Sequence, residues 1–128
     1  MNLLNEELLE KYADASRQTF HTTVVGTTFR DQEHIKKVND GDFAVLIPEL
    51  DNKYDATAVS VVHNDTGNCI GYIKRDLNSD IWQNIVKSGD LYVCKITKTG
   101  GTEDKPNIGF NLTVVRMYHE RQSANTTV

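Results

Sequence analysis

Cysteine, proline and surplus positive charge are all scarce in this sequence, and each shortage removes a class of protein. Two cysteines, Cys69 and Cys94, stand far apart in 128 residues, which is no disulfide framework for a small domain. No signal-peptide pattern opens the chain, so both thiols are expected to be reduced and buried, and the expected location is cytoplasmic. Two prolines and eight glycines exclude a collagen-like or low-complexity chain. No apolar run approaches the roughly 18–20 residues of a membrane span, so no membrane partner is expected. The 14 Lys and Arg are outnumbered by 18 Asp and Glu, for a net charge of −4. That balance excludes the broad basic face of a non-specific nucleic-acid binder. Half of the excess lies in the first twenty residues, where Glu6, Glu7, Glu10 and Asp14 face Lys11 and Arg17, a net of −2.

What is present suffices for one core: 38% of residues are hydrophobic and the length is that of a single domain. Leu4, Leu8 and Tyr12, flanked by Leu9 and Ala13, predict an amphipathic helix over residues 3–17, with its glutamates toward the end that favours anions. The pattern changes character at Thr22. Residues 1–20 are therefore expected as a helical appendage, 21–121 as the folded domain and 122–128 as a polar tail.

Thr22 to Phe29 reads as a strand, with Gly26 a bulge or close-approach point. Asp31 to Asn39 reads as a short helix or bent loop. Phe43 to Ile47 is a buried-type strand stopped by Pro48, and Thr57–His63 and Asn68–Ile73 form a hairpin around Asn64-Asp65-Thr66-Gly67. Asn78 or Ser79 is the expected cap of a helix whose apolar face is Ile81, Trp82, Ile85 and Val86, stopped at Gly89. Strands over Leu91–Lys98 and Ile108–Met117 follow. The sum is a mainly β chain of about six short strands with one internal helix and an added N-terminal helix, the pattern of a small closed or nearly closed barrel.

Motifs for catalysis are missing. Asp65-Thr66-Gly67 matches an aspartic-protease triplet, but Asn64 and Asn68 flank it inside a plain turn, which uses those residue types anyway. His21, His34, His63 and His119 form no i, i+4 pair and, with the cysteines, no metal-ligand spacing. Gly100-Gly101 lacks the strand before and helix after that make a phosphate loop. No catalytic residue, metal or cofactor is expected.

Four patches stand out in order: Val24-Val25-Gly26, the strand after Gly41-Asp42, the loop Asn52-Lys53-Tyr54-Asp55-Ala56-Thr57-Ala58-Val59, and Gly71-Tyr72-Ile73-Lys74-Arg75. Together they resemble the HIRAN family, a DNA-end-binding module of helicase-like remodelling ATPases that also occurs as small stand-alone bacterial and phage proteins. The resemblance covers residues 22–75, with a looser match to about residue 118. It implies an OB-like barrel that binds the 3′ end of single-stranded DNA without catalysis, as an accessory to DNA repair, replication or mobile-element functions.

Carried over by motif, Phe29 and Tyr54 stack on bases, Asp55 accepts a hydrogen bond from the terminal 3′-hydroxyl, and Asn52 contacts the end or shapes the loop. Arg75 and Lys74 are the phosphate-contacting basic pair. Two positions depart from the family pattern. Thr28 stands where DNA-binding members carry an arginine, leaving Arg30 as the nearby cation, and Tyr72 replaces a histidine. Fewer cationic contacts mean weaker phosphate binding. A second reading therefore stands beside the first: a protein-interaction module, such as a phage-type inhibitor of a nuclease or remodelling ATPase, that kept the fold. Read without the family, Asn52 and Asp55 are turn builders, Phe29 and Tyr54 barrel-mouth residues, and Lys74-Arg75 a solvated strand end.

Overall fold

Alternating and β-branched segments resolve into six antiparallel strands in the computed structural model, which describes residues 19–117 together with Glu7 and Glu10. Glu7 and Glu10 are helical; the rest of the appended helix expected over residues 3–17, and the polar tail, lie outside the described residues. The strands are β1 (Thr19–Thr23), β2 (Phe43–Pro48), β3 (Val59–His63), β4 (Cys69–Tyr72), β5 (Leu91–Thr99) and β6 (Gly109–Met117). Two helices join them, α1 (Gln32–Lys37) and α2 (Arg75–Ser88), with a 3-10 turn at Thr27–Phe29. The strand β1 begins inside the segment expected as an appendage. Among the described residues no helix is long and apolar enough to cross a membrane.

The six strands form one sheet in the order β1-β6-β5-β2-β3-β4, curled into a half-barrel. Its inner face is aliphatic: Val59, Val61, Ile70, Ile96, Leu112 and Val114 are fully or almost fully buried. Ile35 from α1 and Ile81 from α2 join the same core. Each fully buried aliphatic side chain contributes roughly 1.5–3 kcal/mol, so this row supplies the fold's main driving force. Cys69 and Cys94 are both free thiols, and Cys94 is fully buried.

The two edges of the sheet are joined at one place. Beyond β1, Val24 N–H bonds the Phe110 carbonyl at 3.0 Å, and Val25 exchanges two backbone bonds with Tyr72, at 2.9 and 2.8 Å. The expected strand over Thr22–Phe29 thus ends early. Gly26, at φ 78°, turns the chain out of the sheet into the 3-10 turn, and the Thr27 hydroxyl fastens that turn to the Ile70 carbonyl at 3.0 Å. Close approach explains the neighbouring glycine. A Cβ on Gly71 (φ 149°) would lie 2.3 Å from Val24 Cγ1 and 2.6 Å from the Val25 carbonyl oxygen. Any side chain there would push the edges apart.

The internal helix also starts earlier than its sequence suggests. Lys74 is the N-cap, and the expected cap Asn78 sits a turn inside the helix, 3% exposed. Its amide is used elsewhere, by the loop before β3. The stop at Gly89 (φ 73°) is as expected, with its N–H on the Ile85 carbonyl. Of the expected apolar face, Ile81 is buried, Trp82 and Ile85 pack on the core, and Val86 is exposed.

At the far end of β3, two buried histidines are paired with more exposed polar groups. His63 Nε2 lies 2.8 Å from Asp42 Oδ2, and a carboxylate only accepts, so this nitrogen donates. With both rings neutral, His63 Nδ1 accepts from the Thr66 hydroxyl (3.0 Å), Thr66 Oγ1 accepts from His34 Nε2 (3.2 Å), and His34 Nδ1 accepts from the Asn68 amide (3.2 Å). Every donor in the series meets an acceptor. Burial and the neighbouring His63 hold the His34 pKa below its usual value, against an opposing pull from Asp31.

Candidate functional site

The loop from Glu49 to Ala58, between β2 and β3, is shaped by its own side chains. Asn52 Oδ1 accepts from the backbone N–H of Tyr54 (2.8 Å) and of Asp55 (2.9 Å), and its amide donates to Glu49 Oε1 at 2.9 Å. This is the side-chain-to-backbone turn that asparagine favours. The other Glu49 oxygen accepts from the Tyr72 hydroxyl at 2.9 Å. Burial, then the bond to Glu49, raises the Tyr72 pKa. The Arg30 guanidinium carbon stands 6.0 Å from the Tyr72 ring centroid, within cation–π range.

The turn sends consecutive side chains in opposite senses. Tyr54 is 84% exposed, whereas the Asp55 carboxylate is turned inward and only 22% exposed. Asp55 accepts from Thr57 N–H (3.1 Å) and from the Asn78 amide (2.8 Å), and Arg75 Nε lies 3.6 Å away. The Thr57 N–H first, then Asn78 and Arg75, hold the Asp55 pKa below the usual aspartate value. Arg75 also donates to the Tyr54 carbonyl at 3.3 Å, and its side chain is 78% exposed. It opens α2 and is not a strand end.

One run of contacts therefore joins Phe29-Arg30, Tyr72, Glu49, Asn52, Tyr54-Asp55 and Arg75. An exposed aromatic sits toward each end of it, Phe29 being 89% exposed. Such rings cost apolar exposure and gain no packing, so the arrangement offers two flat faces beside a fixed carboxylate and two guanidinium groups. Seven of the eight residues singled out by resemblance fall in this run. Lys74 does not. Its partners in space are His21 and Thr23 of β1, Thr97 of β5 and Asn111 of β6, around a separate cleft.

Glu49, Thr57 and Asn78 were not foreseen as site residues. Glu49 links Asn52 to Tyr72, and Asn78 orients Asp55 across 23 positions of sequence, a pairing no local pattern discloses.

Outside this site, Asp42, His63 and Asp65 form a group whose ligand atoms lie within 4.8 Å of one another. There the Nε2 proton of His63 already serves Asp42. The same region places a hydroxyl, a histidine and an aspartate in series, as a nucleophile would need. But Thr66 Oγ1 also receives His34 and the Asn68 backbone N–H, which occupies its lone pairs. That makes it a structural hydroxyl.

The HIRAN domain model matches residues 17–117, more than half of the chain. The chain belongs to the HIRAN domain family. Two solved structures are similar to this HIRAN chain. One is a protein of Lactobacillus plantarum, 23% identical, with a TM-score of 0.64 over 80% of this chain and 96% of that one. The other is the HIRAN domain of human HLTF, 19% identical, with a TM-score of 0.59 over 84% of this chain and 82% of that one. At these identities they show that the fold is shared, an OB-like half-barrel. No curated protein matches the chain significantly.

Proposed function

We propose that this HIRAN domain is a non-catalytic module that holds the 3′-hydroxyl end of single-stranded DNA. The observation that carries the reading is the pairing of Tyr54 and Asp55: adjacent residues, one ring turned to solvent and one carboxylate held inward by Thr57, Asn78 and Arg75. Family membership supports a DNA-binding role. Tyr54 and Phe29 stack on bases, each stack contributing about 1–3 kcal/mol.

Asp55 accepts the terminal hydroxyl. Its lowered pKa keeps it ionised at neutral pH, so it receives that proton as a charge-assisted bond. The same charge repels a terminal phosphate. Arg75 and Arg30 take the backbone phosphates, with Arg75 exchanging its contact to Asp55 for one to DNA. Asn52 and Tyr72 act on the loop and the seam, through Glu49, and not on bases.

A titration of the full chain with a short labelled strand, ending in either a 3′-hydroxyl or a 3′-phosphate, tests this. The hydroxyl end is expected to bind at least ten-fold more tightly. Equal affinity for the two ends removes the role given to Asp55.

One observation favours the second reading, a protein partner such as a nuclease or remodelling ATPase. Leu50, 73% exposed, stands in the same loop as Tyr54, and Val25 and Ile47 are also partly exposed. Aliphatic exposure of this kind suits a protein surface more than bases. Retention of a protein partner by the full chain, with no DNA affinity at low salt, would decide for it.

A further inference from the structure

The register that bridges Val25 to Tyr72 runs on, by counting back on one side and forward on the other, to Thr23 opposite Lys74. The ladder stops at the bridge, and a cleft of about 480 Å³ opens where it would have continued. Its floor and walls come from three neighbouring strands. Thr23 pairs in register with Asn111, and Asn111 with Thr97, while the His21 ring and the Thr113 hydroxyl bond each other at 3.2 Å. Thr22 and Leu112 also border it, but Thr22 alternates with the exposed His21 and Thr23, so its side chain points to the buried face of the sheet. Its hydroxyl is the buried side-chain polar atom that has no hydrogen-bond partner among the described residues, although Thr22 is only 8% exposed.

We propose that this cleft carries the sugar–phosphate backbone of the single strand leading away from the end site, with Lys74 at the turning point between the two. The inference rests on the end-binding reading above and extends it to the rest of the ligand. Three features set the chemistry. None of the lining residues is acidic, in a chain whose net charge is −4. None is Phe, Tyr or Trp, so the cleft offers no face for base stacking. What it offers is one ammonium, an imidazole, hydroxyls and an amide, groups that contact phosphate and sugar without reading sequence.

Lys74 and Arg75 are consecutive, yet Arg75 is engaged with Asp55 and Tyr54 while Lys74 faces the cleft. A strand whose last nucleotide sits at Tyr54 and Asp55 thus meets Arg75 first and Lys74 next.

Fluorescence anisotropy of the full chain with two strands ending in a 3′-hydroxyl, a trinucleotide and a decanucleotide, tests both layers. Wild type is expected to bind the longer strand at least five-fold more tightly. Asn111→Asp, an isosteric change at an exposed position that brings a negative charge into the cleft, is expected to abolish that gain and leave the trinucleotide unaffected. Lys74→Ala is expected to reduce the salt slope of decanucleotide binding by about 0.7, the value of one phosphate contact on a single strand. A trinucleotide that binds as tightly as the decanucleotide overturns the cleft and leaves the end site standing. So does an unchanged length gain in Asn111→Asp. Absence of binding by either strand removes the end site, and the cleft with it.

Discussion

The two ends of β3, about 13 Å apart, hold polar clusters built on opposite plans. At the His63 end, a carboxylate, two imidazoles, a hydroxyl and an amide satisfy one another, and the histidines are buried. At the Val59 end, the loop holding Asn52 and Asp55 is equally well bonded, but its bonds position groups that point away from the protein: the Tyr54 ring and the Arg75 guanidinium. The first cluster spends its hydrogen bonds on the fold. The second spends them on presentation. A buried polar network is therefore not by itself the mark of a site; what distinguishes a site is that the network supports something left over.

Four substitutions or titrations can break or sharpen that contrast. His63→Ala carries the largest expected effect. It empties a buried position, leaves the partly buried Asp42 carboxylate and the Thr66 hydroxyl without their partner, and should cost about 3 kcal/mol in urea unfolding, with DNA affinity of the folded protein unchanged. A comparable loss of affinity would mean that the two ends are coupled. Tyr54→Ala is the mirror image. Binding to a 3′-hydroxyl strand should fall by about 1–3 kcal/mol, while unfolding shifts by no more than about 0.5 kcal/mol.

Asn52→Ala falls between the two, because it removes one acceptor shared by two backbone N–H groups. We expect a loss of about 1 kcal/mol in stability together with weaker end binding, since the loop loses its fixed shape. The smallest effect is a pH dependence from His34. Its folded pKa lies below the unfolded value near 6.5, so the unfolded chain binds the proton more readily. The stability it lends is complete above pH 6.5 and declines as pH falls from there toward the lowered folded value. Replacing His34 by Gln should flatten that slope in unfolding curves measured between pH 7 and 5, and a slope that persists unchanged would assign it to another group.

Much of this was legible in residue order, and the reasons divide by range. The strands over Phe43–Ile47, Leu91–Lys98 and Ile108–Met117, the Gly89 stop and the hairpin at Asn64–Gly67 depend on neighbours a few positions away, and they appear where the sequence puts them to within a residue. The helix start was misplaced because Asn78 has the chemistry of a cap but is drawn to Asp55 and Thr57 by packing. Thr27–Phe29 has strand composition, yet Gly26, the close approach at Gly71 and the Thr27 bond to Ile70 override that propensity. At the site, the resemblance selected residues that the fold does bring together, apart from Lys74. Consecutive residues at a helix start project in different directions, and Lys74-Arg75 read as a pair only in one dimension.

The Val25–Tyr72 bridge has a consequence for how the protein comes into being. Phe29 and Arg30 lie in and just after the 3-10 turn that follows β1, the first described strand, yet β1 is anchored on β6, the last described, and the turn is held to β4 through the bridge. A ribosome-borne chain can shape the Asn52 turn as soon as that loop has emerged. It cannot bring Phe29 to the loop until β6 exists to receive β1. Competence to bind thus waits for β6, and a product truncated before it would carry half of a site and no grip.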